Sequence, residues 1–256
     1  MSTVLWHIPV SHYSEKARWA LELKGVRHER RASPPPAHIA VALWLTRGAH
    51  HTFPVLDIDG RRIGDTTAII AALEERFPDP PLHPDDPAER ERALALEEFF
   101  DEELGPDARL LGFHELRREG DGLREVAATL LPGALARNDL ALSVAARAAG
   151  SYVQLRYRVD SEEAAARSRA KVLAAFDRLE EELDAGAGDY LVGDRFTVAD
   201  LTAAALFVPI VGPPSGPALP PAPPTFAAFR DSIRERRGFG WVEAIFERHR
   251  GEPIRP

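Results

Sequence analysis

The 256-residue sequence contains no cysteine. That absence excludes disulfides, thiolate metal sites and a cysteine nucleophile, so any thiol chemistry must use a sulfur from another molecule. Positive charge is scarce: 32 Lys and Arg stand against 40 Asp and Glu, a formal net charge of −8. A broad basic face for nucleic acid is therefore not expected. No stretch approaches the roughly 18 apolar residues that a bilayer span needs. The N-terminus MSTVLWHIPV lacks a basic n-region and a long apolar h-region, so no secretory signal is read. These absences together predict a cytoplasmic protein with neither a membrane nor a nucleic-acid partner. The neighbouring His50 and His51 point differently along the backbone and have no acidic or histidine partner at ligand spacing, so no metal site is expected.

What is present is enough for a real core: 45% of the residues are hydrophobic. The 22 prolines are clustered and mark boundaries. Residues 3–9 read as a short buried strand, and the segment 11–25 (SHYSEKARWALELKG) as a helix with Tyr13, Ala17, Ala20 and Leu21 on one face and Gly25 as its stop. Residues 26–31 read as a more polar strand nearer an edge, ended by Ser33-Pro34-Pro35-Pro36. A short helix follows around 37–46. Residues 53–58 and 61–63 form two strands joined by the Asp59-Gly60 turn pair. Gly64-Asp65-Thr66 then opens a helix whose buried stripe is Ile69, Ala72, Leu73 and Phe77. The order is β-α-β-α-β-β-α, and a proline-rich linker at 78–87 closes it.

Everything after the linker reads as helix. The stripes are Leu96, Phe99, Phe100 and Leu104, then Leu123, Val126, Leu130 and Leu131, then Val172, Phe176, Leu179 and Leu183. Thr197 is an N-cap with Asp200 at the third helical position, and Phe196 and Leu201 suit a hydrophobic staple. A proline-rich loop spans 213–224, and two short helices carrying Phe226, Phe229 and Ile233, then Trp241, Ile245 and Phe246, end the chain.

Four features of the first domain bear on chemistry. Ser11 and Ser14 lie where a strand gives way to a helix, at the positive end of its dipole. A hydroxyl there either caps the helix or donates to a bound thiolate and lowers its pKa. In Phe53-Pro54-Val55, a proline entering a strand implies an edge position or a cis bond; a cis bond would turn the Val55 backbone toward an extended peptide. Asp65 and an exposed Thr66 at a helix start are either a capping turn or a seat for the ammonium and carboxylate of an amino-acid group. His50 and His51 are either loop histidines or donors to a second carboxylate.

The segments 11–25 (SHYSEKARWALELKG), 53–78 (FPVLDIDGRRIGDTTAIIAALEERFP) and 196–207 (FTVADLTAAALF), in this order and spacing, resemble the cytosolic glutathione transferases. The likeness covers nearly the whole chain and points to a bacterial, serine-type member. It implies a thioredoxin-like α/β domain over 1–79 that binds glutathione and an all-helical domain over 88–256 that forms most of the pocket for a small hydrophobic electrophile. By the same resemblance, Ser11 (or Ser14) stabilises the thiolate, Val55 after cis-Pro54 meets the cysteinyl backbone, and Asp65 and Thr66 hold the γ-glutamyl group. Phe53 and His51 border that site, with His51-Thr52 standing where the family usually has Gly-Lys or Gly-Gln. Thr197 and Asp200 take a folding role. The resemblance also implies a homodimer. A glutathione-dependent isomerase or peroxidase, or a noncatalytic binding protein, are the other readings of the same features.

Overall fold

The computed structural model describes residues 3–33, 37–118, 122–131, 133–186 and 188–250. The break at Pro34–Pro36 and both ends of the chain lie outside the described residues. The first domain is thioredoxin-like: β1 (Thr3–His7), α1 (His12–Leu23), β2 (Glu29–Ala32), α2 (Ala37–Leu45), β3 (Val55–Ile58), β4 (Arg61–Gly64) and α3 (Thr66–Arg76). The sheet order is β2-β1-β3-β4, with β1 parallel to β2 and antiparallel to β3.

Alternation along the strands sorts side chains to the two faces. Leu5 and Leu56 are cross-strand partners and join the main core with α1 and α3. Trp6 and Val55, the next pair, face the other way and pack with Ala42 and Leu45 of α2. Asp59 (φ 50°) and Gly60 (φ 85°) both take the left-handed conformation that a two-residue hairpin requires. Strand β2 begins three residues later than the sequence reading. Gly25 at φ 62° lets the Val26 N–H reach back to the Leu21 carbonyl at 2.9 Å, so the residues after α1 close the helix end first.

The second domain is all helix: α4 (Pro87–Phe99), a π turn (Phe100–Leu104), α5 (Gly105–Arg118), α6 (Gly122–Leu130), α7 (Gly133–Ala136), α8 (Asp139–Tyr157), α9 (Glu162–Ala185), α10 (Val198–Val211), α11 (Pro224–Ile233) and α12 (Arg237–His249). Helix α10 is apolar on all sides and buried along nearly its whole length, as a central helix must be. Its start carries the expected capping box: the Thr197 hydroxyl accepts from Ala199 N–H, and Asp200 accepts from Thr197 N–H at 2.8 Å and from Leu191 N–H at 2.9 Å. Burial pushes the Asp200 carboxyl up to about 6, against the downward pull of these hydrogen bonds. Phe196 has its ring 5.6 Å from Trp19 and 4.4 Å from His249, so it ties the two domains together at the foot of α1. Among the described residues no helix is long and apolar enough to cross a membrane.

Candidate active site

A cleft of about 290 Å³ opens between the two domains. Its first wall starts at Ser11, which sits in extended conformation and caps α1 by accepting from the Ser14 N–H at 3.3 Å. A hydroxyl used as an acceptor keeps its own hydrogen for another partner. Ser11 is half-buried and lines the cleft. Ser14 is fully buried, its oxygen accepts from Ile8 N–H at 3.2 Å, and it is not part of the cleft wall.

The floor comes from a contact between α1 and the π turn. In that turn the Gly105 N–H bonds to the Phe100 carbonyl, five residues back. The Asp101 carbonyl thereby loses its α-helical donor, and the next residue that could serve it, Pro106, has no N–H. The Tyr13 hydroxyl fills the gap, donating to the Asp101 carbonyl at 2.7 Å. Tyr13 is only half-buried and lines the cleft, where the sequence reading packs it inward. Burial holds its pKa well above the usual phenol value, so it keeps its proton. His12 Nε2 lies 2.9 Å from the Gly105 carbonyl; burial, then the Arg109 charge, bring its pKa down to about 3, so the neutral ring donates. Gly105 is required by this contact: a Cβ there would lie 2.2 Å from the Tyr13 hydroxyl. Gly105→Ala is expected to push the Tyr13 ring off the Asp101 carbonyl and cost about 1–3 kcal/mol, measured by denaturant unfolding.

Asp65 caps α3, its carboxylate accepting from Ala68 N–H at 3.0 Å, and remains exposed at the cleft. Its backbone is held at φ 69°, a conformation that costs an L residue about 1–3 kcal/mol and tends to mark ligand clamps. Thr66 also lines the cleft but is 2% exposed, not exposed as the sequence reading has it. Its hydroxyl points inward to Asp101 at 3.4 Å, because Lys16, Glu97 and Asp101 form a buried charge cluster beneath it. What Thr66 and Thr67 offer the cleft is the start of a helix, where N–H groups lack intrahelical acceptors.

The Phe53–Pro54 peptide is cis, and both residues line the cleft. Val55 does not; its side chain is fully buried against α2. Of the two histidines, His50 lines the cleft and His51 does not. His51 is exposed, with its ring 3.3 Å from the Arg156 guanidinium of α8.

The second wall is helical. It brings in Arg109, Phe113 and Leu116 of α5, Val126 of α6, and Tyr152 and Tyr157 of α8, with Pro220 and Phe226 from the proline-rich loop and α11. Tyr152 reaches across to His38 of α2 at 3.4 Å. Sequence reading assigned none of Arg109, His38, Tyr152 or Tyr157 to the site; they belong to no motif. Pro106 directly after Gly105 inside a helical pattern is the one signal that could have flagged the π turn. Among the described residues no group of three or more His, Asp or Glu side chains is placed to hold a metal.

Comparison with known proteins bears on the family and the fold. Residues 5–81 match the family described as glutathione S-transferase, N-terminal domain, and residues 141–236 match its C-terminal domain. A probable glutathione S-transferase of Nicotiana tabacum is 31% identical over 100 residues, 39% of this chain and 41% of that protein. The matched part thus spans about two fifths of that relative's length. Among solved structures, the Tau class glutathione S-transferase of mango (Mangifera indica) is similar with a TM-score of 0.62 and 14% identity, covering 96% of this chain and 88% of that one. A bacterial maleyl pyruvate isomerase of the Zeta class is similar with a TM-score of 0.59 and 22% identity, over 96% and 95% of the two chains.

Proposed function

We propose that this chain, which belongs to the glutathione S-transferase family, binds glutathione along the first wall of the cleft and joins it, through its thiolate sulfur, to a small apolar electrophile held by the second. The observation that carries this reading is the meeting of four groups in one cleft: the Ser11 hydroxyl, Pro54, Asp65 at positive φ and the helix start at Thr66. In this reading Asp65 pairs with the α-ammonium of the γ-glutamyl group, and the N–H groups at Thr66 and Thr67 take its carboxylate. The backbone of Val55 meets the cysteinyl unit, while His50 and Phe53 border the remaining part of the tripeptide. His51 acts at the rim.

Ser11 then donates to the sulfur at the positive end of α1, which lowers the thiol pKa and releases its proton to solvent. The thiolate attacks the electrophile. A carbon–sulfur bond forms, and the leaving group departs with its bonding pair. Holding both partners in one cleft supplies the orientation. The open apolar wall beside Ser11 supports catalysis over a noncatalytic scaffold, in which the thiol site would be filled. A cytoplasmic homodimer completes the reading at the level of the family.

The test is calorimetric titration with glutathione. Wild type is expected to bind saturably. Asp65→Asn keeps the cap and tolerates positive φ but removes the charge, so it should weaken binding about two- to fivefold, the range of an exposed ion pair. A wild-type protein that takes up no glutathione at millimolar concentration ends this assignment.

A further inference from the structure

Arg109 is an unpaired charge on a largely apolar and aromatic wall. Its guanidinium carbon lies 4.5 Å from the centre of the Tyr157 ring and 5.7 Å from that of Tyr13. Its Nε is buried without a hydrogen-bond partner. Among the described residues it makes no ion pair, whereas the buried Arg18 and Arg250 both pair with Glu15. Its charge is felt in the cleft, where it helps keep His12 neutral. Beside it the Phe113 and Tyr157 rings are stacked, 6.2 Å apart and within 8° of parallel. Arg230 repeats part of the pattern: it lines the same cleft, lies 4.7 Å over the Phe226 ring, has a buried and unpartnered Nε, and makes no ion pair among the described residues, although its guanidinium also donates to the Pro209 carbonyl at 2.8 Å. A half-buried guanidinium without a counter-ion, framed by aromatic faces, is matched to a planar anion joined to an apolar ring.

We propose that the second substrate is an aromatic carboxylate, its ring against Phe113 and Tyr157 and its carboxylate on Arg109. This rests on reading the helical wall as the second-substrate site. The test compares 4-chloro-3-nitrobenzoate with 4-chloro-3-nitrobenzamide, two rings of nearly equal size that differ in charge. Each is titrated calorimetrically into the protein without glutathione, so failure of the glutathione assignment does not affect the outcome. The carboxylate is expected to bind at least about tenfold tighter than the amide, a difference of one decade in Kd. Arg109→Gln should erase that preference. Arg109→Lys, which keeps the charge but not the fork, should retain part of it, and serves alone if the Gln variant does not fold. Equal affinity for the two probes in wild type, no binding of either at millimolar concentration, or a preference undiminished in both variants overturns the proposal.

Discussion

Replacing Lys16 by Met is expected to lower stability by about 3–5 kcal/mol at neutral pH. Lys16 lies in the first domain but is fully buried under the second, with its ammonium 2.9 Å from Glu97 Oε1 and 2.9 Å from Asp101 Oδ1. Burial already raises the Asp101 carboxyl, and Lys16 is the largest influence pulling it back down. A Met of similar length fills the space but leaves two buried carboxylates facing one another without a cation. The loss is therefore greater than the net worth of the ion pair itself, since each remaining charge keeps its desolvation cost. The sign with pH is fixed by the same argument. In the variant, the folded-state pKa of Asp101 rises further above its unfolded value, so protonation favours the folded state. The deficit relative to wild type should be largest at neutral pH and shrink as pH falls through the raised value. Denaturant unfolding at several pH values measures both features. Equal stability of variant and wild type would show that the cluster is solvated. Thr66 and Thr67 hydroxyls both donate to this cluster, so under the transferase reading glutathione affinity should fall along with stability.

The elements that were legible in the sequence are those fixed by short-range chemistry. The Asp59-Gly60 turn, the cap at Thr197 and Asp200, and the apolar spacing of α9 each depend on residues within a few positions of one another. Strand β2 started late because the end of α1 claimed Val26 through a hydrogen bond that composition does not reveal. The π turn leaves only the faint local mark of Pro106, for a different reason. It depends on Gly105 and Pro106 in one domain and on His12 and Tyr13 in the other, 88 to 93 residues away in sequence. The placement of His50 along the cleft and of His51 outside it is finer still. Gly64 leaves room for the His50 ring, since a Cβ there would lie 2.4 Å from its Cδ2, and that vacancy turns His50 toward the cleft and leaves His51 outside. Arg109, Tyr152 and Tyr157 form a wall only after α5 and α8 have packed, and no local spacing encodes it.

Ser11→Ala should separate binding from activation. Under the transferase reading, glutathione affinity stays within a few-fold of wild type, because the tripeptide is held mainly at Asp65, Thr66 and Val55. The pKa of the bound thiol, followed by thiolate absorbance in the ultraviolet, should rise by about one to two units toward the free value near 8.5, since a hydrogen bond to a charged acceptor contributes about 1.5–3 kcal/mol. Turnover at pH 7 with a neutral aryl halide should then fall about 10- to 100-fold and recover by pH 9–10, where the thiolate forms unaided. That recovery distinguishes loss of a hydrogen-bond donor from loss of geometry, which no pH restores. The substitution also removes the α1 cap to Ser14 N–H, so a stability loss of about 0.5–2 kcal/mol accompanies it. Ser11→Thr keeps both the cap and the hydroxyl and should restore the thiol pKa. Ser14→Ala is the internal control. It breaks the hydrogen bond that Ser14 accepts from Ile8 N–H and should destabilise the β1–α1 turn, yet leave the thiol pKa where it was. If instead Ser14→Ala raises the pKa and Ser11→Ala does not, the activating hydroxyl is the buried one, and the turn must open for glutathione to reach it.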